Sequence, residues 1–286
     1  MAAAIRPAEA RDLEAITSFT TATFDWGDYV ADNFLEWLDE PDTRVAVAIE
    51  DGDRPVAVAR VRMLGPREGW LSAARVHPDH RRRGLGSALN EWCVNWVRQR
   101  GGVVARLQIE TWNEPAHNQV ERLGYRPVAS VVNAFRSVPD ESIEPATNGG
   151  RRVPAGESLD RSPRAETDGA YIAWSTSELA RASHSLLPVE PWAWRRMTPD
   201  DTRSAPAWYC AFGWILAGEE ESELVVRWLV STPDDAENLV RATVDLAVER
   251  GLADVHLVVP AVGWLQAALD NNGFESGPSR IYEKPL

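Results

Sequence analysis

Between residues 85 and 97, apolar side chains recur at Leu85, Ala88, Leu89, Trp92, Trp96 and Val97. This three-and-four spacing belongs to a helix with one buried face. It predicts a helix from Gly84 to Arg100, stopped by Gly101-Gly102. The residues before it read as mixed helix and strand. Ile5 to Pro7 is a short strand, Asp12 stands where it would cap a helix running through Phe24, and a second helix covers Asp28 to Leu38. Arg44 to Glu50 alternates small apolar with polar residues, Glu50-Asp51-Gly52-Asp53 turns the chain, and Pro55 to Leu64 returns as the hairpin partner. Gly69 to Val76 and Val103 to Ile109 are further strands. Pro115 to Leu123 is a helix ended by Gly124, and Arg126 to Val138 is a last strand.

The pattern then dissolves into Pro, Gly, Glu, Ser and Arg, and it resumes near Gly169. What resumes repeats the first half. Arg100-Gly101, a strand, a helix and Gly124-Tyr125 are echoed by Arg250-Gly251, a strand (Val255 to Val259), a helix (Trp264 to Leu269) and Gly273-Phe274. Upstream, the strand Leu224 to Val230 and the helix Asp235 to Glu249 match Gly69 to Val76 and Gly84 to Arg100. This is a diverged internal duplication. It predicts domains over residues 1–138 and 169–286, joined by a linker over 139–168.

Composition narrows the partners. The chain has 286 residues and a net charge of −13, which disfavours nucleic acid or an anionic membrane as a partner. No apolar run is long enough to span a membrane, and the start, Met1 to Pro7, lacks the apolar core of a signal peptide. Cys93 and Cys210 fit no metal spacing, and Cys93 reads as a small core hydrophobe. The expectation is a cytoplasmic protein that binds no metal.

The chemistry concentrates in Val76-His77-Pro78-Asp79-His80-Arg81-Arg82-Arg83-Gly84-Leu85-Gly86-Ser87-Ala88-Leu89. A strand ends, a basic turn follows, and two glycines open a helix. That order builds an anion site from unpaired backbone N–H groups at a positive helix end. A nucleotide-binding P-loop is excluded, because Lys284 is the only lysine. A dinucleotide fingerprint is excluded, because a third glycine is missing. Arg81-x-x-Gly84-x-Gly86 remains, and it resembles the pyrophosphate loop, Gln/Arg-x-x-Gly-x-Gly/Ala, of the GNAT superfamily of acyl-CoA-dependent N-acyltransferases. Asn113-x-x-Ala116 through Leu123-Gly124-Tyr125 resembles the family's second motif, and Ile5-Arg6-Pro7-Ala8 with Asp12 resembles a common family start.

The resemblance implies an α/β (α+β) fold of two GNAT-like domains, each a mixed, mostly antiparallel sheet flanked by helices. It implies acetyl-CoA as cosubstrate. Backbone groups of Ala74, Arg75 and Val76 would pair with the pantetheine arm. Arg81, Arg82, Arg83, Gly84, Leu85, Gly86 and Ser87 would hold the diphosphate, and Asn113 would contact the cofactor arm. The other substrate would be an unspecified amine acceptor, and the protein a monomer or homodimer. Two positions depart from the family. Val120 stands where a tyrosine acid is usual, and Gln108 where a carboxylate base is often found. Glu110 faces the same side as Gln108 by strand alternation and is one candidate base. His117 and Tyr125 are the other candidates for proton transfer. These departures leave a non-catalytic acyl-CoA-binding or regulatory protein as the competing expectation. The second copy has Ser231 to Glu237 between strand and helix, with no glycine or arginine. Asp234 and Asp235 would satisfy that helix start and repel a diphosphate.

Overall fold

The computed structural model describes residues 4–21, 27–50, 52–138, 158–162, 167–204 and 207–286. The elements follow the hydrophobic pattern closely. The first half forms β1 (Ala4–Pro7), α1 (Leu13–Thr20), α2 (Val30–Asp39), β2 (Thr43–Glu50), β3 (Arg54–Gly65), β4 (Glu68–Val76), α3 (Leu85–Gln99), β5 (Val104–Glu110), α4 (Glu114–Arg122) and β6 (Arg126–Ser137). The second half forms β7 (Asp160–Arg161), α5 (Thr167–Ser175), α6 (Glu178–Ala182), β8 (Leu186–Glu190), β9 (Ala193–Arg196), α7 (Pro199–Ser204), β10 (Ala207–Cys210), β11 (Gly213–Glu220), β12 (Glu223–Val230), α8 (Ala236–Arg250), β13 (Asp254–Pro260), α9 (Gly263–Asn271) and β14 (Glu275–Pro285).

Two local expectations are corrected. Asp12 does not cap α1. Its carboxylate instead accepts from Arg6 at 2.7 and 2.8 Å and from the Glu9 amide at 2.8 Å, because a guanidinium fork outcompetes a single helix N–H. The described part of that helix ends at Thr20, and residues 22–26, which include the expected end at Phe24, lie outside the described residues. Nor does Asp235 cap α8. Its carboxylate accepts from the Thr232 hydroxyl at 2.8 Å.

The chain divides into two compact units. The first is Met1–Ile109, Asn113–Arg126 and Tyr282–Leu286, and the second is Glu110–Trp112 and Pro127–Ile281. This grouping departs from a cut at residue 138. β6 counts with the second unit because Val131 to Ser137 pair antiparallel with Pro260 to Asp254 of β13. β14 is divided between the units at Ile281 and Tyr282. Within the expected linker, Asp160 and Arg161 form β7 against β10, and residues 139–157 and 163–166 lie outside the described residues.

In the first unit β1 to β4 run antiparallel in chain order, and α3 carries the chain across so that β5 lies parallel to β4. That pairing covers only Glu68, Gly69 and Trp70 against Val104, Ala105 and Arg106. Beyond it the two strands part. A bulge explains the bend. Arg60 faces Ser72 but Val58 faces Arg75, so Ala73 and Ala74 oppose Ala59, and Ala73 sits at φ +54°. At the paired end Arg106, 3% exposed, is held between the Glu68 and Glu283 carboxylates, the latter at 2.7 Å. One sheet face packs Leu85, Leu89, Cys93 and Val97 of α3 with Val120 of α4. The other packs Ile16, Phe19, Phe34 and Trp37 of α1 and α2.

The second unit repeats this design. β11 and β12 are antiparallel with a register shift at Leu216/Ala217, and α8 crosses to place β13 parallel to β12 from Glu223 to Val226 only. Its α8 and α9 face carries the larger core, and α5 packs on the other side. The short helix α6 touches both cores, Leu179 entering the α8–α9 side and Ala180 the α5 side.

Candidate active site

The site begins where β4 and β5 part. The His77 amide donates to Val56 O at 2.9 Å and closes the strand, and a turn follows over Pro78 to His80. Arg82 at φ +61° and Gly84 at φ +81° then reverse the chain into α3. Only glycine adopts the Gly84 conformation without cost, and glycine carries no capping side chain. The first link back is the Ala88 amide to Gly84 O at 3.0 Å. The N–H groups of Leu85, Gly86 and Ser87 therefore point from the positive helix end with no intrahelical acceptor. Arg81, Arg82 and Arg83 are exposed at the rim.

Neighbouring side chains hold this loop in shape. Glu50 lies 3.0 Å from His80 Nδ1 and 3.5 Å from Arg83. The Asp79 amide donates to His77 Nδ1 at 3.2 Å, and the Arg81 Nε donates to Val76 O at 3.4 Å. A Cβ on Gly86 would sit 2.7 Å from Gln119 Nε2, so α3 and α4 approach closely there. Ala74 is exposed and Val76 half-buried on the strand end. The Arg75 guanidinium turns away to Asp28, at 2.6 Å, and lies over the Tyr29 ring at 5.6 Å. What Arg75 offers a ligand is therefore its backbone.

The proton-transfer candidates separate clearly. Asn113 caps α4, its Oδ1 accepting from the Ala116 amide at 3.3 Å. His117, one turn on, is buried, and its Nδ1 lies 2.9 Å from the hydroxyl of Tyr282. That hydroxyl donates to Glu121 Oε1 at 3.2 Å. Tyr125 is buried against the α3 face with its hydroxyl 3.2 Å from the Asn90 amide nitrogen, and burial pushes its phenol well above the usual range. Val120 packs in the same core. Gln108 and Glu110 are half-buried on β5, and Glu110, its last residue, groups with the second unit. Cys93 is fully buried, and desolvation raises its thiol to about 12. Sequence reasoning missed Tyr282, which lies 165 positions from His117 with no local signal to link them.

In the second unit the start of α8 lacks both glycines and arginines and carries Asp234, Asp235 and Glu237. Among the described residues no group of three or more His, Cys, Asp or Glu could hold a metal, and no helix is long and apolar enough to cross a membrane.

A mixed sheet whose parallel β4–β5 pair opens beside a glycine-led helix N-terminus with no side-chain cap is an arrangement able to hold an anion. Residues 10–125 match the family model described as Acetyltransferase (GNAT) family. Mycothiol acetyltransferase of Mycolicibacterium vanbaalenii is 30% identical over 148 residues, 51% of this chain. The chain spans 46% of that relative's length. Among solved structures, a GCN5-related N-acetyltransferase from Sphaerobacter thermophilus superposes with a TM-score of 0.66 at 16% identity, covering 99% of this chain and 95% of its own. A tandem GNAT protein from the clavulanic acid biosynthesis pathway superposes at 0.56 and 16% identity, covering 99% and 98%. These likenesses extend the GNAT-like fold to both halves.

Proposed function

We propose that the protein is an acetyl-CoA-dependent N-acetyltransferase in which only the first half binds the donor. The observation that carries this reading is the N-terminus of α3. It is led by Gly84 in the left-handed region, has no side-chain cap, and is joined to the parted end of β4 by the turn from His77 to Arg83. A diphosphate matches it: backbone N–H groups of Leu85 to Ser87 meet the phosphate oxygens, Gly86 permits close approach, and Arg81, Arg82 and Arg83 screen the charge. Exposed backbone of Ala74 to Val76 suits an amide-bearing arm laid along the strand, with Asn113 at the head of α4 as a further contact. The second half has acidic residues at the equivalent helix start. Its α6 also packs into both cores of that unit. Both features argue against a second donor site.

The bound thioester would supply an activated acetyl group, and the residues handle the protons. An ammonium acceptor must lose a proton before its nitrogen can attack. His117 is the favoured base, an imidazole whose Nδ1 lies 2.9 Å from the Tyr282 hydroxyl, which itself donates to Glu121. Glu110 is a weaker candidate, and Tyr125, engaged with Asn90 and held protonated, is weaker still. The first proton passes to His117 and on to solvent. Attack and loss of the C–S bond give the amide, and the second nitrogen proton ends on the CoA sulfur. The acceptor is an amine of a small molecule or peptide, and the reading places the protein in the cytoplasm, with neither nucleic acid nor a membrane as partner.

Calorimetric titration with acetyl-CoA, followed by an amine panel read through thiol release, tests this. We expect a single donor site per chain and acceptor-dependent release. No binding of acetyl-CoA would overturn the donor site, and binding without release for any amine would make the protein a non-catalytic acyl-CoA sensor.

A further inference from the structure

We propose that the second unit carries a ligand site of its own, for a small organic carboxylate held by Arg280. A cavity of about 450 Å³ opens beside the C-terminal end of β13, a volume that suits a small molecule. Its walls are the start of β6 from Pro127 to Ser130, Ala182 at the C-terminal end of α6, Ala261 just past β13, and Arg280 of β14. All of these residues belong to the second unit. The room comes from short side chains, since Ala129, Ala182 and Ala261 leave open the space that larger residues would fill. The walls themselves are held in place. The Ala261 amide donates to Ser130 O at 2.9 Å and continues the β6–β13 pairing beyond Pro260. Leu179 anchors α6 in the core, and the buried Ser183 hydroxyl donates to Ala180 O at 3.3 Å where that helix ends.

The charge at the rim selects an anion. The protein carries a net charge of −13, yet none of the described residues lining this cavity is acidic. Arg280 is exposed and makes no hydrogen bond, ion pair or ring contact with any described residue. Ser279 and Ile281 on either side of it are fully buried, so the strand fixes the root of the side chain and leaves the guanidinium unpaired. Arg75 and Arg106, by contrast, are each held by carboxylates of the fold. A guanidinium offers a planar pair of N–H donors that matches a carboxylate. One cation suits a monoanion. The helix end in the lining is a C-terminus, which presents carbonyls and partial negative charge and so disfavours a phosphate dianion. The alanines, Pro127 and Val128 make an apolar wall for a short alkyl or aryl body, and the Ser130 hydroxyl is the other polar side chain in the lining.

The test is saturation-transfer NMR and calorimetry on the full chain with benzoate and hexanoate, with benzylamine and inorganic phosphate as comparisons. Wild type should bind both carboxylates with dissociation constants of about 1 mM, as expected for ligands of so few atoms, and benzylamine and phosphate at least about tenfold more weakly. Arg280→Gln alters an exposed side chain, so Tm should hold while carboxylate binding weakens by about tenfold or more. Ala182→Leu and Ala261→Leu each fill the cavity with Arg280 still present, and both should abolish binding. Gly86→Glu should leave it unchanged, which separates this site from the start of α3. No saturable binding of either carboxylate by wild type would overturn the proposal. So would undiminished binding by Arg280→Gln or by both filled variants, equal binding of benzylamine or phosphate, or loss of binding in Gly86→Glu.

Discussion

Gly86→Glu is the most informative perturbation of the donor site. Gly86 is the second residue of α3, and its φ is not positive, so a side chain costs no backbone strain. The added Cβ would approach Gln119 Nε2 at 2.7 Å, but that atom ends a flexible side chain and can swing aside. An acidic residue in the first turn also favours the helix. The fold should therefore hold, with an unchanged or slightly raised Tm. Donor binding should suffer. A carboxylate about 5 Å from a doubly charged diphosphate repels it by about 1.7 kcal/mol in a water-like medium and about 6.6 kcal/mol at an effective dielectric of 20. Even the smaller value weakens binding by more than about tenfold. Calorimetry with acetyl-CoA on wild type, Gly86→Ala and Gly86→Glu separates charge from bulk, and the alanine variant should lose less than about threefold. If Gly86→Glu binds within that same margin of wild type, the phosphates do not sit at the start of α3, and the donor assignment fails.

Other consequences concern the scaffold. Arg106→Met strands two carboxylates around an empty cation position, and urea unfolding should show a loss of about 3–5 kcal/mol, partly recovered by adding Glu68→Gln and Glu283→Gln. A loss under about 1 kcal/mol would mean the triad is solvent-screened. Burial beside Phe135 pushes His256 down to about 4, against the partial opposition of Glu220. Between the unfolded value near 6.5 and about 4 the unfolded chain binds a proton that the folded chain refuses, so stability should fall as pH falls through that window. His256→Gln should flatten that slope, and an unchanged slope would assign it to other groups. Asn133 is buried with neither side-chain amide atom bonded among the described residues, so Asn133→Leu should raise the urea midpoint by an amount worth about 1–3 kcal/mol. A lowered midpoint would reveal a bridging water or ligand at the amide.

The turn and helix start proposed to hold the donor were readable because everything that makes them is contiguous. Strand end, basic turn, glycines and amphipathic helix follow one another within Val76 to Leu89, and short-range backbone rules decide each step. The duplication was readable for the same reason, since Arg250-Gly251 and Gly273-Phe274 restate a local pattern, and β12–α8–β13 repeats β4–α3–β5. Reading failed wherever a side chain had a choice of partners. Asp12 had the right neighbours for a cap, but Arg6 and the Glu9 amide were better ones. Arg75 reads as a strand-end backbone contact, and nothing local shows that its guanidinium meets Asp28, 47 positions away.

By itself, then, the order of residues determined the elements, the repeat and the glycine-led helix start proposed to hold an anion, because these depend on spacing along the chain. Tertiary structure decided which distant side chains meet. Tyr282 meets His117 across 165 positions only because the last strand ends in the first unit, and no periodicity encodes that meeting. Strand pairing sums many weak, non-local contacts, and its outcome is set by the whole sheet rather than by any segment of it.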